Sequence, residues 1–154
     1  MENTPDTIIP LKDFLFGGGV LIVVFLFHAV GSQLIMNHFL RLSAEVRRMH
    51  FGAAYVLLIS AVSGFLLLHL LEISMWTTAI VSGGLLASWR EAAFFAANAY
   101  TTVGYGTDLM PEGWKMLGPI IAISGLFTFG WTGSLLVTVM TTYNQLLQSV
   151  KKKQ

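Results

Sequence analysis

Thr102-Val103-Gly104-Tyr105-Gly106 lies between a short amphipathic stretch and a long apolar run. An ordinary strand alternates its carbonyls from side to side. A backbone that turns consecutive carbonyls the same way must leave that conformation at some positions, and glycine takes the left-handed region at little steric cost. Gly104 and Gly106 therefore read as conformational requirements. Thr102 adds a hydroxyl at one end of the row. Val103 and Tyr105 are expected to face away from it and to brace it against the surrounding helices, with the Tyr105 hydroxyl finding a partner behind. The alternative is a plain glycine turn between two helices.

Working outward, residues 89–101 read as a short helix. Ser88 is placed to cap it, with Glu91 at the capping-box spacing. The helix is too short to cross a bilayer, which takes about 20 apolar residues. Phe94 and Phe95 are placed to form an aromatic collar with Tyr105, a role compatible with ordinary packing. On the other side, residues 107–115 form a short return loop carrying Asp108, Pro111 and Glu112.

Of 154 residues 55% are hydrophobic and only 11% charged, against about 25% charged in a soluble domain. No Asp, Glu, Lys or Arg occurs in residues 14–40, 49–71 or 116–150. Each of these runs has the length of a membrane-spanning helix. The chain reads as an all-α, multi-pass membrane protein lying in a lipid bilayer. Cysteine is absent, so thiol chemistry and thiolate metal sites are excluded. The sequence offers no nucleophile–base pair, metal-ligand cluster or phosphate-binding loop, so no enzymatic activity and no cofactor are expected. Nothing in the charge pattern suggests nucleic acid as a partner. Glu2, Asp6 and Asp13 outnumber Lys12 ahead of the first run. A secretory leader is basic there, so the run is read as a retained helix.

The first membrane helix is expected over residues 14–36. Gly17-Gly18-Gly19 suits close helix contact in a membrane. His28 is read as a neutral imidazole bonded to a neighbouring helix, although an intramembrane ionisable residue is also a functional candidate. In residues 37–50, Phe39, Leu42, Val46 and Met49 recur at helical spacing, with Arg41, Glu45 and Arg48 elsewhere on the wheel. That segment is either a separate short helix in the interface or a basic linker carrying Arg41, Arg47 and Arg48. The second membrane helix runs from near residue 51 to about 81. His69 and Glu72 share a face on it near the far interface, read as a structural pair, the alternative being that they set the local charge there. Trp76 is an interfacial anchor, and Gly83-Gly84 ends the pattern. The last helix covers about residues 114–150 and holds Gly118, Gly125, Gly130 and Gly133. Gly125, near its middle, either permits bending or allows close packing. Residues 1–50 thus form an N-terminal helix with its basic segment, and residues 51–150 a second domain. The basic residues of the first loop and Lys151-Lys152-Lys153 place those segments in the cytoplasm and the N-terminus outside.

Thr101-Thr102-Val103-Gly104-Tyr105-Gly106 and Ser124-Gly125-Leu126-Phe127-Thr128-Phe129-Gly130 together resemble the pore module of bacterial potassium channels. The resemblance covers roughly residues 51–143. His69-Leu70-Leu71-Glu72-Ile73 and Phe129-Gly130-Trp131 are similar to a group of small channels of this kind with an extra N-terminal helix. It implies three transmembrane helices plus a re-entrant pore helix and a selectivity filter over Thr102, Val103, Gly104, Tyr105 and Gly106. Carbonyls of Thr102, Val103, Gly104 and Tyr105, with the Thr102 hydroxyl, would bind dehydrated potassium. The pore helix would present its negative end to the cation. Gly125 would be the inner-helix hinge, and Leu126, Phe129 and Gly133, beside Gly130, would face a water-filled cavity. Two departures stand out. The family usually has aspartate directly after the filter, where this chain has Thr107 with Asp108 one residue on. Asn98 stands where some relatives carry a carboxylate behind the filter.

One filter segment per chain is a quarter of a pore, so a homotetramer in the cell membrane is expected. The polar tail after the last helix is too short for a ligand-sensing domain, which leaves the filter, the inner-helix bundle or the interfacial segment as gate. The expected function is a passive potassium-selective channel. The alternatives are a weakly selective cation channel and a non-conducting membrane assembly subunit.

Overall fold

The computed structural model describes residues 11–46 and 51–151. Glu2, Asp6, Arg47, Arg48, Met49, Lys152 and Lys153, which entered the reading of orientation and of the interfacial segment, lie outside the described residues. The described chain is all helical: α1 (Leu11–Val46), α2 (Phe51–Ser82), α3 (Trp89–Tyr100), one 3-10 turn (Thr107–Leu109) and α4 (Leu117–Lys151). By length and composition α1, α2 and α4 are each able to cross a membrane. Leu15, Leu34, Val56 and Val137 are each 65–70% exposed, an outer surface that suits lipid or other apolar chains rather than water.

The break expected near residue 37 is absent, and α1 runs on to Val46. There is therefore no separate interfacial helix over residues 37–46. Residues 33–46 hold no glycine or proline to end the helix. Met36, Phe39 and Ser43 lie at helical spacing and are all buried, so the continued turns have a face to pack. Gln33 Nε2 also donates to Asn37 Oδ1 at 2.9 Å across the expected break.

Local chemistry accounts for the other ends. α2 stops at a Schellman motif: Gly84 takes φ +70°, Gly84 N donates to Val81 O at 3.0 Å and Leu85 N to Ile80 O at 3.1 Å. Ser88 caps α3 by accepting from Glu91 N at 3.3 Å. α4 begins at Leu117 rather than near residue 114, because turns bond Trp114 N to Pro111 O and Leu117 N to Trp114 O. Gly113, at φ +87°, permits the first of them.

The chain divides into two compact units. The first comprises residues 11–24 with Ile73–Leu126. Its core gathers Trp76, Ile80, Phe95, Tyr100, Leu117 and Ile121. Trp76 Nε1 donates to Ser124 Oγ at 3.2 Å, both groups buried, so Trp76 is a core residue and not an interfacial anchor. Gly17 admits Ile120 and Leu117, whose methyl carbons would stand 3.0–3.2 Å from an added Cβ. Asp13 is fully buried, and its Oδ2 accepts from Met116 N at 2.8 Å. The carboxylate thus sits in the first turn of α1 and at the start of α4, where both helix dipoles favour it. Asp13→Ala is expected to cost about 1–2 kcal/mol. Thermal unfolding in detergent checks this, and an unchanged midpoint would dismiss the cap.

The second unit comprises Phe25–Glu72 with residues 127–151. Its apolar core includes Met36, Phe39, Leu57, Ala61, Phe65, Leu68, Val139 and Leu146. Gly31 lies directly against the Leu68 side chain. His28, His69 and Glu72 form a buried polar cluster in the same unit.

Candidate functional site

α3 ends at Tyr100, and its last turn holds the loop that follows. Thr101 N and Thr101 Oγ1 both donate to Ala97 O, at 3.0 and 2.7 Å. Thr102 N donates to Ala99 O at 3.0 Å. Val103 N and Gly104 N share Asn98 O, at 2.9 and 3.2 Å. Four successive N–H groups are thus turned back onto α3. Among the described residues, no hydrogen bond ends on the carbonyls of Thr102, Val103, Gly104 or Tyr105.

The backbone hand alternates along this loop. Thr102, Gly104 and Gly106 have φ of +61°, +81° and +80°, while Val103 and Tyr105 stay outside the positive region. Alternation of this kind sets successive N–H groups on one side of the chain and the carbonyls on the other. The left-handed Thr102 was not legible in the sequence. A β-branched residue there is strained by about 1–2 kcal/mol, and strain of this kind clusters where function holds it in place.

The surroundings are uneven. Phe95 is buried, and with Ala99, Thr102, Gly104, Tyr105 and Ala122 it lines a cavity of about 260 Å³. Phe94 lies beside Gly106, its Cε1 3.1 Å from where a Cβ would stand. Val103 is 57% and Tyr105 71% exposed. Both side chains thus leave most of their surface uncovered by their own chain. Asn98 Nδ2 donates to Phe94 O at 2.8 Å within α3. Asp108 is exposed, and the Thr107 side chain lies outside what the structure describes.

On α4, Gly125 faces the end of α3. A Cβ there would run into the Tyr100 carbonyl, with Tyr100 C only 2.8 Å away. Close packing is therefore the role the structure gives Gly125, and α4 continues unbroken through it. Leu126 and Phe129 are exposed, and Gly130 and Gly133 have open space around them. These four recur at i, i+3, i+4 and i+7, which is one face of a helix.

The fold also gathers residues that the sequence kept apart. His28 Nδ1 stands 2.7 Å from Glu72 Oε1, and His69 Nδ1 3.3 Å from Glu72 Oε2. One carboxylate thus joins an imidazole on α1 to one on its own helix. The expected absence of a metal-ligand cluster does not hold, since these three residues bring ligand atoms within 4.8 Å of one another. The sequence signalled the parts, a His69–Glu72 pair and a His28 bonded to a neighbouring helix, but not that they meet, because His28 is 44 positions from Glu72. No protein-family model, curated protein or solved structure matches the chain.

Proposed function

We propose that the chain is one subunit of a potassium-selective channel in the cell membrane, with its N-terminus outside and its C-terminus in the cytoplasm. The observation that carries this reading is the loop of alternating hand, with unbonded carbonyls at Thr102, Val103, Gly104 and Tyr105. A dehydrated cation needs such oxygens in place of its water. Irregular backbone is tolerated at membrane depth only when it is buried in protein or lines a water-filled path. Four copies around one axis meet that condition, with α3 as the re-entrant pore helix. The exposure of Val103 and Tyr105 suits cover by neighbouring subunits. The face of α4 bearing Leu126, Phe129, Gly130 and Gly133 would line the cavity below.

Purified protein in liposomes is expected to pass potassium down its gradient. Its reversal potential should follow potassium and ignore sodium. Absence of flux would favour the non-conducting subunit and end the channel reading. One observation favours weaker selectivity: Asn98 Nδ2 donates back to Phe94 O within α3, so one of its amide protons is turned away from the outer end of the loop. Bi-ionic potassium/sodium recording separates the two, since a weakly selective pore reverses near zero.

A further inference from the structure

We infer that His28, His69 and Glu72 form a binding site for one divalent first-row transition-metal ion, of which Zn2+ is the type. All three residues are buried, His28 and Glu72 completely and His69 to 7% exposure. Their ligand atoms lie within 4.8 Å of one another. Around an ion with bonds of about 2.0–2.1 Å, tetrahedral donors stand roughly 3.3 Å apart. His69 Nδ1 is already 3.3 Å from Glu72 Oε2 and His28 Nδ1 2.7 Å from Glu72 Oε1, one imidazole on each carboxylate oxygen. Small side-chain shifts would admit an ion.

The donor set selects the class. Two imidazoles and one carboxylate suit zinc and its neighbours, whereas calcium and magnesium want oxygen. Three protein ligands leave a fourth position for water or an anion, and an anion there would offset the charge one carboxylate leaves uncancelled. The walls are aromatic: Trp131 meets the His28 ring edge-on at 5.5 Å, and Phe129 lies 4.4 Å from the His69 ring. His28 faces Glu72 through Nδ1, so Nδ1 is the nitrogen that would ligate, and the buried Nε2 takes no part in holding the ion. The site shares no residue with the loop at residues 102–106, so its test does not depend on conduction.

The experiment uses the full chain in lipid nanodiscs. His38, which is exposed, is changed to glutamine in every sample to remove other imidazoles, and so is His50. Cobalt(II) is added, and bound metal and visible absorption are measured. The expected result is one cobalt per chain with the intense absorption of a four-coordinate site, displaced by zinc. His69→Ala and Glu72→Gln should each weaken binding by about 100-fold or more, since loss of an outer partner alone costs about 10–100-fold. Because either variant could misfold, zinc-edge X-ray absorption on the chain with the triad intact provides a second readout. Two imidazoles and an oxygen around zinc support the site. Cobalt that stays six-coordinate and aquated, binding that survives His69→Ala, or zinc without imidazole neighbours overturns it.

Discussion

Gly125→Ala lowers the stability of the protein by about 2 kcal/mol, the net of two opposed effects. Alanine improves an exposed helix by up to about 1 kcal/mol over glycine. Here the new methyl has to occupy the space of the Tyr100 carbonyl. Overpacking of that kind costs about 1–3 kcal/mol, and sometimes more. The obstacle is backbone at the end of α3, which cannot swing aside as a flexible side chain does. The melting midpoint in detergent should fall by roughly 4–8 °C, and potassium flux should fall with it, because displacing Tyr100 displaces Thr101 and Thr102. Gly130→Ala and Gly133→Ala meet open space within the chain and serve as controls, expected to match the parent or gain up to about 1 kcal/mol. The sign of the result discriminates. A glycine needed only for bending would be replaced at no cost in stability, so a midpoint that holds or rises for Gly125→Ala removes the close-packing account.

Gly104→Ala acts by a different route, with a cost in stability of about 1–2 kcal/mol per subunit and a far larger effect on transport. Nothing lies within 4 Å of an added Cβ there, but φ is +81°. A side chain in the left-handed region costs about 1–2 kcal/mol. In the proposed ring that cost is repeated in each of four subunits at the point where the carbonyls have to hold their hand. The expected outcome is a folded protein whose liposomes have lost selective potassium flux. Gly52→Ala, helical and in open space, controls for the substitution itself. Potassium flux and sodium exclusion at parental levels in Gly104→Ala would show that residues 102–106 are not the filter.

Much of this protein is written in short windows of its sequence. The charge-free runs mark α1, α2 and α4 because hydropathy is a sum over neighbours. Ser88 and Gly83-Gly84 mark helix ends because capping is chemistry within a few residues. Gly104 and Gly106 announce unusual backbone because few other residues adopt it cheaply. None of these signals carries the rotational phase of one helix against another, and that phase decided the rest. It buried Met36 and Phe39 and so extended α1 through the expected break at residue 37. It set Asp13 against Met116, 103 positions away, and drew Trp76 into the core through Ser124. It pressed Gly125 onto Tyr100 and brought His28 to Glu72. Even Thr102, left-handed against its own preference, is held by bonds from α3 that only the folded loop supplies. Sequence determined which segments are helices and where the backbone is free to turn. Tertiary structure decided which polar groups meet, because a side chain's partner depends on the face that packing leaves it.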